Sequence, residues 1–255
     1  MTEPDRAGGA PAVTRSIRIL DLLAEQPGQT LTLSEIARTL GLAKSSVSNL
    51  CAALEEGGLV RRTAAGYLLG RRTVELGSAY LSGFDQIREF YRVCEESAVL
   101  RPQLVQIAML DGARVLYLAV HEGRERFPMS ASVGEKYPAS ATAVGTALLS
   151  ELAPERVAAL YWDPREFAGF TERSTATIAQ LQAKLAATRE RGYALDEGEV
   201  HPTVLGIAVL VPGSPSFGLG VSIVHPTGAA TERDTVIAAL RDAAARLTRP
   251  RLLSA

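Results

Sequence analysis

Five hydrogen-bonding side chains stand close together between positions 44 and 49: Lys44, Ser45, Ser46, Ser48 and Asn49. At helical spacing Val47 and Leu50 turn to the opposite side, so the five form one outward row. Such a row suits base edges and phosphates, because an asparagine amide pairs with adenine through two hydrogen bonds and a lysine holds phosphate. Asn49 is therefore the candidate base reader and Lys44 the candidate phosphate contact. Ser45 and Ser46 also have a plainer use as helix N-caps. Two arginine pairs follow, Arg61-Arg62 and Arg71-Arg72, on either side of a short β-type segment. One such pair alone reads as solvated surface; two pairs bracketing a hairpin suit DNA backbone or minor-groove contact. Arg15 is a further candidate of this kind, and Arg18 beside it fits either that role or plain surface.

The elements that must position these residues are legible from periodicity. Helices are predicted at Val13–Ala24 (inward Val13, Ile17, Leu20, Leu23), at Ser34–Leu40 (N-cap Ser34; inward Ile36, Ala37, Leu40) and at about Lys44–Glu56 (inward Val47, Leu50, Cys51, Leu54). Gly41-Leu42-Ala43 makes the tight turn between the last two, and Gly57-Gly58 ends the third. Leu59–Arg62 and Tyr67–Leu69, joined by Thr63–Gly66, read as a hairpin. Helix, helix, tight turn, helix, hairpin is the order of a winged helix-turn-helix, in which one helix braces a second that enters the major groove. The whole chain carries a net charge of only −1, which disfavours a nucleic-acid binder taken by itself. Yet from Ser34 to Arg72 six cations face three anions, a local +3, and phosphate binding depends on that local density.

The remaining sequence predicts a flexible arm at 1–12, the winged head at 13–72, a linker helix at 73–98 bending near Gly83, and a second domain at 99–255. Strands are expected at Gln103–Leu110, Arg114–His121, Arg126–Val133, Thr203–Val211 and Phe217–Val224, with Asp111-Gly112 as a turn. Helices are expected at Thr142–Ser150, Pro154–Tyr161, Thr175–Arg191 and Thr231–Leu247. Strands, helices, strands and a closing helix indicate an α+β domain around an antiparallel sheet.

Several function classes are disfavoured. No apolar run reaches the roughly 18 residues of a membrane span, and the polar start lacks a signal peptide, so a cytoplasmic protein is expected. Cys51 and Cys94 are the only cysteines and support neither a disulfide framework nor a zinc site. The three histidines, His121, His201 and His225, stand at no metal-ligand spacing, and no metal or cofactor is expected. A hydrolase triad from Ser140, Asp196 and one histidine is the rival reading, but Ser140 lacks the Gly-x-Ser-x-Gly elbow. A second rival makes the C-terminal domain an assembly module only.

The run Thr14–Leu23, the run Leu33–Val47, Gly58-Leu59-Val60, Tyr67–Gly70 and Glu75-Leu76-Gly77 together resemble the IclR family of bacterial transcription regulators. The likeness resumes at Ala143-Val144-Gly145, Arg191–Asp196 and Gly220-Val221-Ser222. It implies a winged helix-turn-helix followed by a GAF/profilin-like antiparallel-sheet domain that binds a small effector, an organic acid or an aromatic compound. It further implies a homodimer or dimer of dimers on double-stranded, palindromic operator DNA, with repression more usual than activation. Ser48-Asn49 departs from the family's basic or His/Arg pair, so a different preferred sequence is expected.

The resemblance also maps a pocket. The segment Tyr137–Thr142, with Ser140, Ala141 and Thr142 leading into a helix at Ala143, matches a family pocket loop, and a helix start is a ready anion site; plain capping by Ser140 or Thr142 is the alternative. Asp196 falls at a pocket acid, Ser222 at a last-strand serine and Gly206 at a frequent cysteine. Leu205 replaces the usual Arg, Gly220 the commoner Ser and Thr146 a frequent Lys. These departures predict a roomier, less polar pocket and a ligand bulkier or more apolar than glyoxylate or pyruvate. Met129, with Met109, Leu118, Ile207, Val209 and Leu219, is a candidate for its lining; as aliphatics on alternating strands these read equally as core.

Overall fold

The computed structural model describes residues 10–123, 132–167, 169–213, 215–224 and 230–248. The chain divides into two compact units, Met1–Gly83 and Phe84–Ala255.

The first unit runs α1 (Pro11–Ala24), α2 (Leu33–Leu40), α3 (Lys44–Glu56), β1 (Val60–Arg62), β2 (Tyr67–Leu69) and α4 (Arg72–Ser82). Its core gathers Ile19, Leu22 and Leu23 of α1, Ile36 and Ala37 of α2, and Val47, Cys51 and Leu54 of α3, closed by Val60 and Tyr67 of the hairpin. The inward stripe of α1 therefore starts at Ile19 with i, i+3, i+4 spacing, and the expected inner positions Val13 and Ile17 are exposed. The predicted cap Ser34 is also displaced. Thr32 caps α2, accepting from the Glu35 backbone N–H while the Glu35 carboxylate accepts from Thr32 N at 2.7 Å. That reciprocal box needs a Thr and a Glu three apart, a spacing Ser34 cannot supply. Gly41, at φ 66°, ends α2 in the left-handed conformation that favours glycine. Leu31 bridges Tyr67 with bonds of 2.9 and 2.8 Å, tying the hairpin to the start of α2.

The predicted linker is two helices, broken at Gly83 and Phe84: α4 belongs to the first unit and α5 (Asp85–Glu96) to the second. The second unit continues β3 (Leu104–Asp111), β4 (Arg114–His121), β5 (Lys136–Pro138), α6 (Ala143–Leu149), α7 (Pro154–Leu160), α8 (Ile178–Arg191), β6 (Ala194–Glu197), β7 (Val204–Val211), β8 (Phe217–Val224) and α9 (Ala230–Thr248). Its sheet has the order β5-β4-β3-β8-β7-β6, antiparallel throughout. The α+β architecture is thus as expected. Most of the strand expected at Arg126–Val133 lies outside the described residues. The short strands β5 and β6 were not anticipated. α8 starts at Ile178 under a Thr177–Gln180 capping box, later than the expected Thr175.

Alternation divides the sheet into two faces. One carries Ala108, Val115, Tyr117, Ala194 and Ala208 and packs with α6, α7 and α8 into a core that includes Leu148, Leu149, Leu181 and Leu185. The other carries Ile207, Val209, Phe217 and Leu219 towards α5 and α9, with Phe84 edge-on to Phe217 at 5.7 Å. The aliphatics Val209 and Leu219 are accordingly buried core, as is Leu118, while Ile207 is buried and also contributes to the pocket lining.

Candidate functional sites

The first site is built by α3 and the hairpin. Lys44, Ser45, Ser48 and Asn49 are exposed and Ser46 is half-buried, while Val47 and Cys51 on the reverse side are buried. The N-cap of α3 is Ala43, with no side-chain hydrogen bond. Neither Ser45 nor Ser46 caps the helix, which leaves both hydroxyls in the outward row. Arg61, Arg62, Arg71 and Arg72 are exposed around the hairpin, and the Arg62 guanidinium lies 5.8 Å from the Tyr67 ring centroid. Arg15 is exposed on α1. Arg18 donates to the Leu40 carbonyl at 3.3 Å, a bond that ties α1 to the end of α2.

The second site is a small pocket on the α6 side of the sheet, open to solvent at its mouth. Register explains its composition. Asp196 stands opposite Gly206 and Gly206 opposite Ser222, one row across β6, β7 and β8; Gln106 stands opposite Gly220 in the adjacent row, and Ser222 Oγ donates to Gln106 Oε1 at 3.4 Å. Of the residues expected here, Thr142, Ala143, Asp196, Gly206 and Ser222 line the pocket. Ser140 and Ala141 are fully buried and do not line it; the Ser140 carbonyl instead accepts from Lys184 Nζ at 2.9 Å. Thr142 caps α6 by accepting from Gly145 N–H at 3.1 Å. Met129 lies outside the described residues. The room expected at Gly220 is taken by Val144, whose Cγ1 would stand 2.7 Å from a Cβ there.

Tyr137, the start of the segment matched to a pocket loop, lines the pocket, and sequence reasoning missed Gln106, Tyr117 and His201, which line it too. Gln106 was detectable as a lone amide in the apolar run Leu104–Leu110. Tyr117 and Tyr137 meet edge to face at 5.8 Å, and Phe170 lies against Tyr137 at 6.0 Å, giving the pocket an aromatic wall. Burial raises the Tyr117 hydroxyl well above the usual phenol range.

Asp196 is the buried acid of this site, 4% exposed, and Oδ1 accepts from Glu199 N–H at 2.6 Å. Burial first, and the charge of Glu199 second among the raising causes, push its carboxyl from 3.8 to about 6; the N–H groups of Glu199 and Val200 and the charge of Lys184 oppose this. Between about pH 4 and pH 6 the folded protein holds a proton here that the unfolded chain has lost, so stability falls as pH rises through that window. At about 1.4 kcal/mol per pH unit, the ionised carboxyl costs roughly 3 kcal/mol above pH 6. Asp196→Asn is therefore expected to raise the melting temperature of the second unit at pH 7.5, with the gain over the parent closing by pH 4. A gain that is the same at both pH values would show that this carboxyl does not titrate as described.

The chain matches the IclR helix-turn-helix domain over residues 12–64 and the bacterial transcriptional regulator IclR C-terminal domain over residues 78–249. It is 30% identical over 202 residues to the HTH-type transcriptional regulator XynR of Escherichia coli K12, covering 78% of this chain and 79% of that one. The repressor BlcR of Agobacterium tumefaciens is 31% identical, with TM-score 0.60 over 94% of this chain and 96% of that chain. An IclR homologue from Microbacterium hydrocarbonoxydans, complexed with 4-hydroxybenzoate, shares the fold at TM-score 0.76 and 22% identity, covering 93% and 97%. The protein belongs to the IclR family of transcription regulators. It is a DNA-binding regulator and not an enzyme, and the hydrolase reading of Ser140 and Asp196 falls with that.

Proposed function

We propose that this protein is a repressor whose operator affinity is set by a small organic metabolite bound in the pocket beneath α6. The observation that carries the reading is the pairing of an outward row at the start of α3, free of any capping duty, with a separate pocket whose floor is a buried acid. Asn49 reads a base, Lys44 and the arginines of the hairpin hold phosphates, and the pocket reports metabolite level by binding differently in the DNA-competent and released states. The names of the relatives, among them the acetate operon repressor of Salmonella typhimurium and the transcriptional repressor IclR of Escherichia coli, support repression.

The operator is palindromic and the protein a dimer, or a dimer of dimers, on this reading. α4 buries no residue within the chain, and Val74, Leu76 and Tyr80 on it are exposed, as are Val13 and Ile17 on α1. An 11-residue helix that buries none of its side chains within the chain is marginal in water by itself, and a second copy supplies further apolar surface. Helix-turn-helix dimers then present two reading helices one DNA turn apart. Leu76→Glu is expected to shift the sedimentation equilibrium of the protein towards monomer.

The test is fluorescence anisotropy with the intergenic DNA next to the gene. Asn49→Ala is expected to cost about 1–3 kcal/mol on the operator and little on unrelated DNA, whereas Arg71→Ala weakens both and lowers the salt slope by about 1. Equal loss on both DNAs for Asn49→Ala would remove it from base reading. Failure of any cellular metabolite extract to change operator affinity would remove the sensing role.

A further inference from the structure

Gln106 is the one polar side chain in the apolar run Leu104–Leu110, and its strand lies inside the sheet, between β4 and β8. The residue is 6% exposed and lines the pocket. Its cross-strand neighbours are Val120 on β4 and Gly220 on β8, and the row continues through Ala208 and Ala194. Val144 covers Gly220, its Cγ1 2.7 Å from where a Cβ would stand, so the row beside the amide is apolar throughout. The amide has one hydrogen bond among the described residues: Ser222 Oγ donates to Oε1 at 3.4 Å. That bond occupies the oxygen and leaves the two Nε2 hydrogens without an acceptor among the described residues. Other polar side chains of the lining are tied to the protein. Thr142 Oγ1 accepts from the Gly145 N–H, Asp196 accepts from the backbone of Glu199 and Val200, and His201 Nδ1 lies 3.0 Å from the Thr203 hydroxyl.

A buried amide costs free energy unless its donors are met. A methionine would fill the same space on this strand without that cost. The partner of Gln106 therefore comes from the pocket, and its type follows from the amide nitrogen, which only donates. An oxygen with lone pairs satisfies it. A methyl group or a second donor in that place leaves it unmet, and an unmet buried donor costs more than a typical hydrogen bond contributes. Burial keeps the Tyr117 hydroxyl protonated, so a second donor lines the same space from the neighbouring strand β4. We propose that Gln106 is the specificity-determining donor of this pocket, giving its Nε2 hydrogens to a keto, amide or carboxylate oxygen of the bound metabolite. The assignment rests on the pocket being the effector site, and it selects by the acceptor rather than by charge.

The test uses the full-length protein and calorimetric titration with pairs that differ at one acceptor group: 2-oxobutyrate against butyrate, 4-hydroxyacetophenone against 4-ethylphenol, and 4-hydroxybenzoate against 4-methylphenol. The acceptor-bearing member of at least one pair is expected to bind about fivefold or more tighter than its partner. Gln106→Met keeps the volume and removes the donor, and it is expected to bring that ratio to within about twofold. The same variant is expected to raise the melting temperature of the ligand-free second unit by about 2–4 °C, because an apolar group replaces an unmet amide. An amide already bonded within the protein would give the opposite sign. A Gln106→Met protein less stable than its parent would therefore assign the amide to the fold and overturn the proposal. So would an unchanged ratio in that variant, equal binding of both members in every pair, or no binding by any acceptor-bearing member at millimolar concentration. A metabolite extract that shifts operator affinity as strongly in Gln106→Met as in the parent would also overturn it, while leaving the regulatory reading intact. Acceptor-bearing ligands that bind with the expected preference yet leave operator affinity unchanged would keep the role of Gln106 and sink that reading.

Discussion

Lys184→Met is expected to destabilise the second unit by about 3–5 kcal/mol, the usual loss when one partner of a buried ion pair is removed. Lys184 reaches from α8 to the Glu199 carboxylate, with side-chain exposures of 15% and 10%, and to the Ser140 carbonyl at 2.9 Å. Glu199 Oε2 accepts from the Thr175 N–H at 2.9 Å and from the Thr175 hydroxyl at 2.8 Å, and the Glu199 carbonyl accepts from Ser174 Oγ at 2.7 Å. One lysine therefore connects α8, the turn before α6 and the segment that follows β6. Methionine fills the same volume but leaves a buried carboxylate with only neutral donors. The cost comes from that stranded charge, so the double variant Lys184→Met with Glu199→Gln is expected to return within about 2 kcal/mol of the parent. Urea unfolding followed by circular dichroism measures both. A loss under about 1 kcal/mol for the single variant would mean that water already screens the pair. Lys184 also holds down the pKa of Asp196, so the same change is expected to push that carboxyl further up.

The winged head was legible because its signals are local. Apolar spacing over eight to fourteen residues marks each helix, and Gly41 and Gly66 fall where the backbone needs positive φ. The errors there are errors of phase: Thr32 wins the cap over Ser34 because Glu35 lies three residues beyond it, and the stripe of α1 begins at Ile19. In the second unit the long strands β3, β4, β7 and β8 show clear β-type runs. The strands β5 and β6, of three and four residues, are too short to show a period and exist because the sheet offers them an edge. The pocket was half legible. Asp196, Gly206, Ser222 and the segment beginning at Tyr137 came through family resemblance, Gln106 stood out only as a lone amide in an apolar run, and Tyr117 required knowing which strands are neighbours. The pairing of Lys184 with Glu199 had no sequence signal, since it joins a helix to a loop across the sheet edge. Ser140 was placed in the pocket because its segment matches a pocket loop; the backbone of that segment serves Lys184 instead.

Gly145→Ala tests the seat of α6, on which the pocket wall depends. All seven residues of this helix are buried, and it approaches the sheet and the preceding turn through positions that lack side chains. A methyl on Gly145 would overlap the carbonyl oxygen and Cα of Ala139, and one on Gly218 would stand 2.6 Å from the Val144 carbonyl oxygen. These are backbone atoms, so no rotamer change relieves the overlap, and the helix itself must lift. Alanine is otherwise the better helix former by about 1 kcal/mol, so propensity alone predicts a gain. The expected outcome is the opposite: a loss of about 3 kcal/mol or more, at the upper end of overpacking in a core. Gly77→Ala provides the comparison, since nothing lies within 4 Å of a Cβ at that position in α4; there the same change is expected to gain up to about 1 kcal/mol. Because Thr142, Ala143 and Val144 line the pocket, lifting α6 is also expected to abolish ligand binding. Operator binding by the head, which carries its own core, should survive as long as the second unit stays folded. A Gly145→Ala protein as stable as its parent would mean that α6 has room to shift, and the close seating described for the pocket wall would have to be abandoned.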